Sequence, residues 1–271
     1  DKTAPTSTAP TVSGVGTGRV TLTLKQADSG GSGIDTTKTK YGYSTSASGT
    51  YTWGTNATIT GLNKNTKYYF KTQVTDNVGH STTSAATDGT TTLTQDTPTI
   101  AYNTGSSASW SQSKVVKFAI GTLQAQNKLQ YRAKNGSTWK VGGDSSWTDT
   151  TNGGTYTVDY ESTATTQTAI YLRVIDTDNA NNVATASTFT ITTIDRTKPI
   201  CGSFGGTSTT YAASRNITVG CSDKSAAGGT ATTDISGCTS TSFTKVYNSS
   251  TIVTDTPTIQ IKDAAGNTQN C

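Results

Sequence analysis

Two short signatures each occur three times along this chain, in a fixed order, and they constrain its fold more than any other feature. The first is Asp-x-Thr-x-Pro, present as Asp1–Pro5 and Asp195–Pro199, with a shortened Asp96-Thr97-Pro98 between them. The second is an apolar residue, one residue, Asp, and then a Gly/Asn-rich turn. It appears as Val74-Thr75-Asp76 running to His80, Val174-Ile175-Asp176 running to Asn181, and Ile261-Lys262-Asp263 running to Asn267. The two aspartates of each pair stand 75, 80 and 68 residues apart. A start tag and an end tag repeated in this way mark one unit used three times. The boundaries this sets are 1–94, 95–194 and 195–271. Units of this size can each bury one modest core, and three in series make a rod.

The residues between the tags predict strands. Threonine supplies 62 of 271 residues, while there is one Glu, one His and no Met. Threonine is β-branched and favours extended backbone, and the missing residues are good helix formers or neutral ones. Arg19–Lys25 alternates strictly, with Val20, Leu22 and Leu24 on one face, which is the pattern of a half-buried strand. Lys67–Val74, Lys114–Ile120, Leu129–Ala133, Ala169–Ile175, Asn216–Cys221 and Thr258–Asp263 read as further strands, and Asp28–Gly33 and Asp223–Gly237 as polar loops. A Gly-rich excursion from Asn135 to Thr155 carries Trp139 and Trp147. Many short strands with closely spaced turn signals give an all-β chain of tandem antiparallel sandwiches. The joints between them carry proline, which fixes φ and stiffens them.

All four cysteines, Cys201, Cys221, Cys238 and Cys271, lie in the last 71 residues. They form no Cys-x-x-Cys pair and the single His80 is far off in sequence, so disulfides are expected rather than zinc. Disulfides imply an oxidising, extracellular setting.

The stretch Ile59–Tyr68, with Leu62, Thr66 and Tyr68 spaced as Leu-x-x-x-Thr-x-Tyr, resembles the Leu-x-Pro-x-Thr-x-Tyr segment of fibronectin type III domains, with Lys64 in place of the usual proline. The resemblance implies that Tyr68 makes the corner hydrogen bond to nearby backbone. More broadly, the Asp-x-Thr-x-Pro start, the Ser/Gly-rich loop and the Asp-x-x-Gly-Asn end resemble bacterial immunoglobulin-like repeats of surface and secreted proteins. The last unit, from Cys221-Ser222-Asp223 through Ile235–Cys238 to Lys262–Cys271, is similar to their cysteine-bearing variety. Four cysteines allow three pairings; the favoured one joins Cys201 to Cys271, tying the unit's ends, and Cys221 to Cys238, closing the loop between them. Such units space, display or bind many things, so the likeness speaks to fold before function.

Several function classes are disfavoured. Net charge is +4, but the basic residues are scattered rather than interleaved with aromatics, which argues against nucleic-acid binding. No apolar run is long enough for membrane insertion. Most aspartates stand in turn contexts, where they cap backbone, and His80 takes the Asn position of the turn motif, so no catalytic residues are expected and no cofactor is required. Asp176, Asp178 and Asp195 are candidate Ca²⁺ ligands at a joint, with turn capping as the competing role. Trp139 and Trp147 are candidates for a glycan or partner platform, with packing on a sandwich face as the competing role. The expectation is a non-enzymatic extracellular stalk or surface-fibre component, making protein–protein contacts by self-assembly or with a host surface. The alternatives are a host-protein or glycan binding module, or an accessory region of a larger secreted enzyme or of a phage appendage.

Overall fold

A computed structural model describes residues 1–206, 214–224, 235–248 and 258–271. Among these, one single-turn 3₁₀ helix, Thr36–Lys38, is the sole helical element, capped by the Asp35 carboxylate accepting from Thr37 N at 3.0 Å. The rest is strand and turn. No helix among the described residues is long and apolar enough to cross a membrane.

Near the N-terminus, strands Thr11–Val15, Arg19–Thr23 and Thr58–Thr60 form one antiparallel sheet. A second contains Thr52–Gly54, Lys40–Ser44 and Lys67–Thr75, with Ser81–Thr83 and Thr90–Thr91 both pairing to Lys67–Thr75. Lys67–Thr75 shows why the sequence folds this way. Its alternate residues Tyr68, Phe70, Thr72 and Val74 are buried while those between them are not. Tyr68 and Phe70 meet Val20, Leu22 and Ile59 from the opposite sheet, with Leu62 closing the core. Each such side chain contributes about 1.5–3 kcal/mol by leaving water. Thr11–Val15, Arg19–Thr23 and Thr58–Thr60 lie in one sheet and Lys40–Ser44 with its partners in the other, while Thr6–Ser7 and Gln26–Ala27 pair separately; the division is the fibronectin type III-like order. Its corner is present: the Tyr68 hydroxyl accepts a hydrogen bond from Asn63 N at 3.1 Å.

The same order follows downstream. Thr99–Thr104, Lys114–Ala119 and Thr155–Val158 form one sheet. Asn127–Asn135 and Thr168–Asp176 form the heart of the other, paired over nine residues. Phe118, Leu129, Ile170, Leu172 and Ile191 are among the fully enclosed side chains of the core between them, the largest of the three among the described residues. The excursion Asn135–Thr155 is not a loose loop. Thr138–Val141 and Thr148–Thr150 both pair with Asn127–Asn135 and extend its sheet. Lys114 is wholly enclosed, and its ammonium donates to the carbonyls of Ser106 and Ser109 and to the Thr193 hydroxyl. Burial pushes its pKa down, and this ring of oxygens replaces the water it has lost.

In the C-terminal part, Ile200–Gly205, Ser214–Ser222 and Ser242–Asn248 form a sheet, and Gln260–Lys262 pairs with Thr268–Asn270. Among the described residues, Ile217, Val219, Ile259 and Ile261 are the buried apolar side chains of its core. Cys201 is bonded to Cys271 and Cys221 to Cys238, and both bridges border that core. The expected loop Asp223–Gly237 falls mostly outside the described residues.

Candidate functional site

The three cores are joined by buried polar contacts, and these joints hold most of the chain's unusual chemistry. The first is built on the turn after strand Thr168–Asp176. Asp176 begins it, its Oδ1 accepting from Asp178 N at 2.8 Å, while Asn179 Oδ1 accepts from Asn181 N at 3.1 Å. Aspartate and asparagine hold turns in this way because their short side chains reach backbone two residues on. The turn is thereby presented to the N-terminal core. Thr17 Oγ1 donates to Asp176 Oδ2 at 2.6 Å, and Asn182 Nδ2 donates to the carbonyls of Leu62 at 2.9 Å and Thr17 at 3.2 Å. Lys64 N donates to Asn182 Oδ1 at 2.9 Å and Asn179 Nδ2 to the Leu62 carbonyl at 2.9 Å. Arg19 Nε pairs with Asp178 Oδ2 at 2.6 Å at the rim. Thr17, Asp176 and Asn182 are buried. Gly16 and Gly18 permit the approach, since a Cβ on Gly18 would sit 2.3 Å from Asp176 Oδ2 and one on Gly16 2.1 Å from Gln126 Nε2.

The second joint uses the same turn with a different outcome. Asp263 Oδ1 accepts from Asn267 N and its Oδ2 from Asn267 Nδ2, both at 2.8 Å. Asn267 Nδ2 also donates to the Asp195 carbonyl at 3.0 Å, as Asn182 does to Thr17 and Leu62. Asp195 N donates to the Ser111 carbonyl at 3.0 Å, so this one residue is tied to the cores on both sides. Asp223, two residues past Cys221, accepts at Oδ2 from Ser236 N, Ser236 Oγ and Gly237 N at 2.7–3.0 Å. The result brings Asp195, Asp223 and Asp263 together, with one carboxylate oxygen of each within 4.8 Å of the others. All three residues have zero solvent exposure. Burial pushes the Asp195 carboxyl up to about 6, and the Asp223 and Glu161 charges push the same way, against the Thr197 N donor.

A third version stands at the N-terminal end. Asp76 Oδ1 accepts from Val78 N and His80 N, and His80 Nδ1 lies 2.9 Å from Asp76 Oδ2. His80 thus occupies the place of Asn267. Asp1 completes the group and accepts from Thr3 N and Ser32 N. Burial pushes the Asp76 carboxyl up, yet the donors from His80, Gly79 and Val78 together hold it below the usual carboxylate value.

The sequence candidates therefore separate. Asp176 and Asp178 lie at the first joint, where Thr17, Asn182 and Arg19 engage them. Asp195 lies at the second, grouped with Asp223 and Asp263, which were not singled out as ligands. The place of Asp195 and Asp263 in the repeated tags was the available signal, Asp223 standing outside both tags, but the depth of burial was not readable from it. Trp139 and Trp147 do come together, around one guanidinium: Arg132 sits 4.8 Å from the Trp139 ring and 4.4 Å from that of Trp147. Arg173 lies 4.2 Å from the Trp147 ring, and Tyr171 edges Trp139 at 6.0 Å. The indoles form a cation–aromatic stack on the outer face of the sheet rather than a bare hydrophobic shelf. Trp53 also lies on an outer sheet face, over Gly42, and is 39% exposed.

No protein-family model matches this chain, and no curated protein sequence does either. Among solved structures it is similar to the FN1–FN3 domains of chicken CNTN1, at 13% identity and a TM-score of 0.28, with 98% of this chain and 97% of that one covered. It is also similar to the tetra-tandem repeat in the extending region of a large adhesion protein, at 12% identity and a TM-score of 0.27, with 98% and 73% covered.

Proposed function

We propose that this chain is a non-enzymatic extracellular spacer: a stiff stalk, or a component of a surface fibre, built of three immunoglobulin/fibronectin type III-like units bounded at 1–94, 95–194 and 195–271. The observation that carries the reading is the first joint. Side chains that could have faced water are instead buried between two cores and satisfied by one another, from Thr17–Asp176 to Lys64–Asn182. A hinge has few such contacts, because every buried polar pair that must separate leaves donors and acceptors unsatisfied. The chemistry of a spacer is mechanical, and it consists in resisting that separation. Two disulfides in the C-terminal part fit an oxidising exterior. Small-angle X-ray scattering of the oxidised 271-residue protein tests this. The expected result is an elongated particle whose pair-distance distribution has a long tail, at all concentrations or with growth into fibres. A compact globular profile would sink the proposal.

The stack around Arg132 supports a second reading, a site for an anionic glycan or an acidic host segment. Arg132, Lys134 and Arg173 crowd the indoles of Trp139 and Trp147 and the ring of Tyr171. Aromatic faces suit sugar rings and the guanidinium groups suit carboxylate or sulfate. Trp139→Ala with Trp147→Ala is expected to abolish retention on an immobilised sulfated glycan while the circular dichroism spectrum is unchanged. Equal retention of native and variant protein ends that reading.

A further inference from the structure

We propose that Asp195, Asp223 and Asp263 bind one calcium ion, and that the ion locks the joint between the second and third cores. The argument begins with what three buried carboxylates require. Carboxylates removed from water need hydrogen-bond donors or a counter-charge. Asp263 is capped by Asn267 and Asp223 by Ser236 and Gly237. Asp195 Oδ1 accepts from Thr197 N at 2.9 Å. Asp195 Oδ2, however, is wholly enclosed and accepts no hydrogen bond. A carboxylate oxygen of Asp195 lies within 4.8 Å of an oxygen from each of the other two aspartates. Among the described residues no basic side chain forms an ion pair with Asp195 or Asp263.

Turn capping alone does not account for this. The other two copies of the turn show what capping produces. Asp176 is met by a hydroxyl and an amide, Thr17 and Asn182. Asp76 is met by the ring of His80, and Asp1 beside it accepts backbone donors. At both places the negative charge is answered by donors of the chain itself. Among the described residues only the second joint gathers three carboxylates at zero exposure, and there Asp195 Oδ2 accepts no hydrogen bond. Glu161, whose Oε2 accepts from Arg196 N at 2.9 Å, adds a fourth negative charge acting on Asp195. A hard divalent cation is the natural complement to clustered oxygens, and calcium tolerates the irregular geometry of ligands drawn from three separate segments, with carbonyls and waters completing the shell.

The ligands arise at places that make the ion a fastener. Asp195 belongs to the linker and is bonded through its own backbone to Ser111 on one side and Asn267 on the other. Asp223 and its donors Ser236 and Gly237 stand at the two ends of the loop closed by Cys221–Cys238, so that the disulfide holds this part of the site in shape.

The test uses the whole oxidised chain, stripped with a chelator, and calcium chloride as the probe. Isothermal titration is expected to give one bound Ca²⁺ per chain. Calcium is expected to raise the unfolding midpoint by at least about 5 °C, and to slow tryptic cleavage after the exposed Arg196. Asp195→Asn and Asp263→Asn should each weaken binding by about 100-fold or more, whereas Asp178→Asn should leave it unchanged. Absence of binding to the native protein at about 10 mM calcium, well above the range of weak extracellular sites, overturns the proposal whether or not the variants fold. Undiminished binding by Asp195→Asn, or equal loss in Asp178→Asn, overturns it as well.

Discussion

Reduction of the two disulfides is expected to unfold residues 200–271 while the first two cores stay folded. Among the described residues the C-terminal core has four buried apolar side chains, Ile217, Val219, Ile259 and Ile261, against eleven in the middle one. At about 1.5–3 kcal/mol for each side chain, before the opposing chain entropy of ordering the segment, so small a core is marginal. The bridges supply the difference by restricting the unfolded chain. Cys201–Cys271 spans 70 residues and Cys221–Cys238 spans 17. Loop-closure arguments assign them about 4 and about 3 kcal/mol, together a large part of what holds an average small domain folded. The first two cores contain no cysteine and all four tryptophans, Trp53, Trp110, Trp139 and Trp147. Reductant should therefore leave tryptophan emission unchanged while opening Arg215 and Lys245 to trypsin. A C-terminal part that stays protease-resistant after full reduction would show that its packing suffices alone.

The second large effect is expected at the first joint. Asp176→Ala should destabilise the tryptophan-bearing part of the chain by about 3 kcal/mol, read from urea unfolding by fluorescence. The carboxylate accepts from Thr17 Oγ1 and Asp178 N at 2.6 and 2.8 Å, and lies in a place with almost no solvent. Truncation leaves those donors buried with nothing to bond, at about 1–3 kcal/mol for each group. Asp178→Ala provides the contrast. Its partner Arg19 is 38% exposed, so the pair is screened by water and its loss should register below about 1 kcal/mol. If both substitutions had the same small effect, the buried network would not be holding the two cores together. The pair of variants also separates rigidity from mere proximity: only Asp176→Ala should open the linker around residues 94–98 to proteolysis.

What the amino-acid sequence determined about this protein is local. Strand Lys67–Thr75 was legible because its apolar residues recur at every second position, and a strand turns alternate side chains to opposite faces. Thr168–Asp176 was legible instead as a near-continuous apolar run in the corresponding place before the Asp turn, and its burial alternates in the same way. Tyr68 was legible from its neighbours, since the corner bond to Asn63 N closes over five residues. Turns beginning at Asp76, Asp176 and Asp263 were legible for a similar reason: their carboxylates bond backbone within four positions. The stretch Asn135–Thr155 was not, because its glycines and polar residues lack alternation; Thr138–Val141 and Thr148–Thr150 become strands through the edge that Asn127–Asn135 offers them. Everything that gives the joints their character was decided by tertiary structure. Thr17 and Asp176 are separated by 159 residues, and Asn267 and the Asp195 carbonyl by 72. Each of these aspartates looks alike in the sequence, as a turn residue. Closing the sandwiches sets what lies opposite. Asp176 meets hydroxyl and amide donors there, and Asp195 meets two further carboxylates away from water, because burial and charge depend on distant parts of the chain.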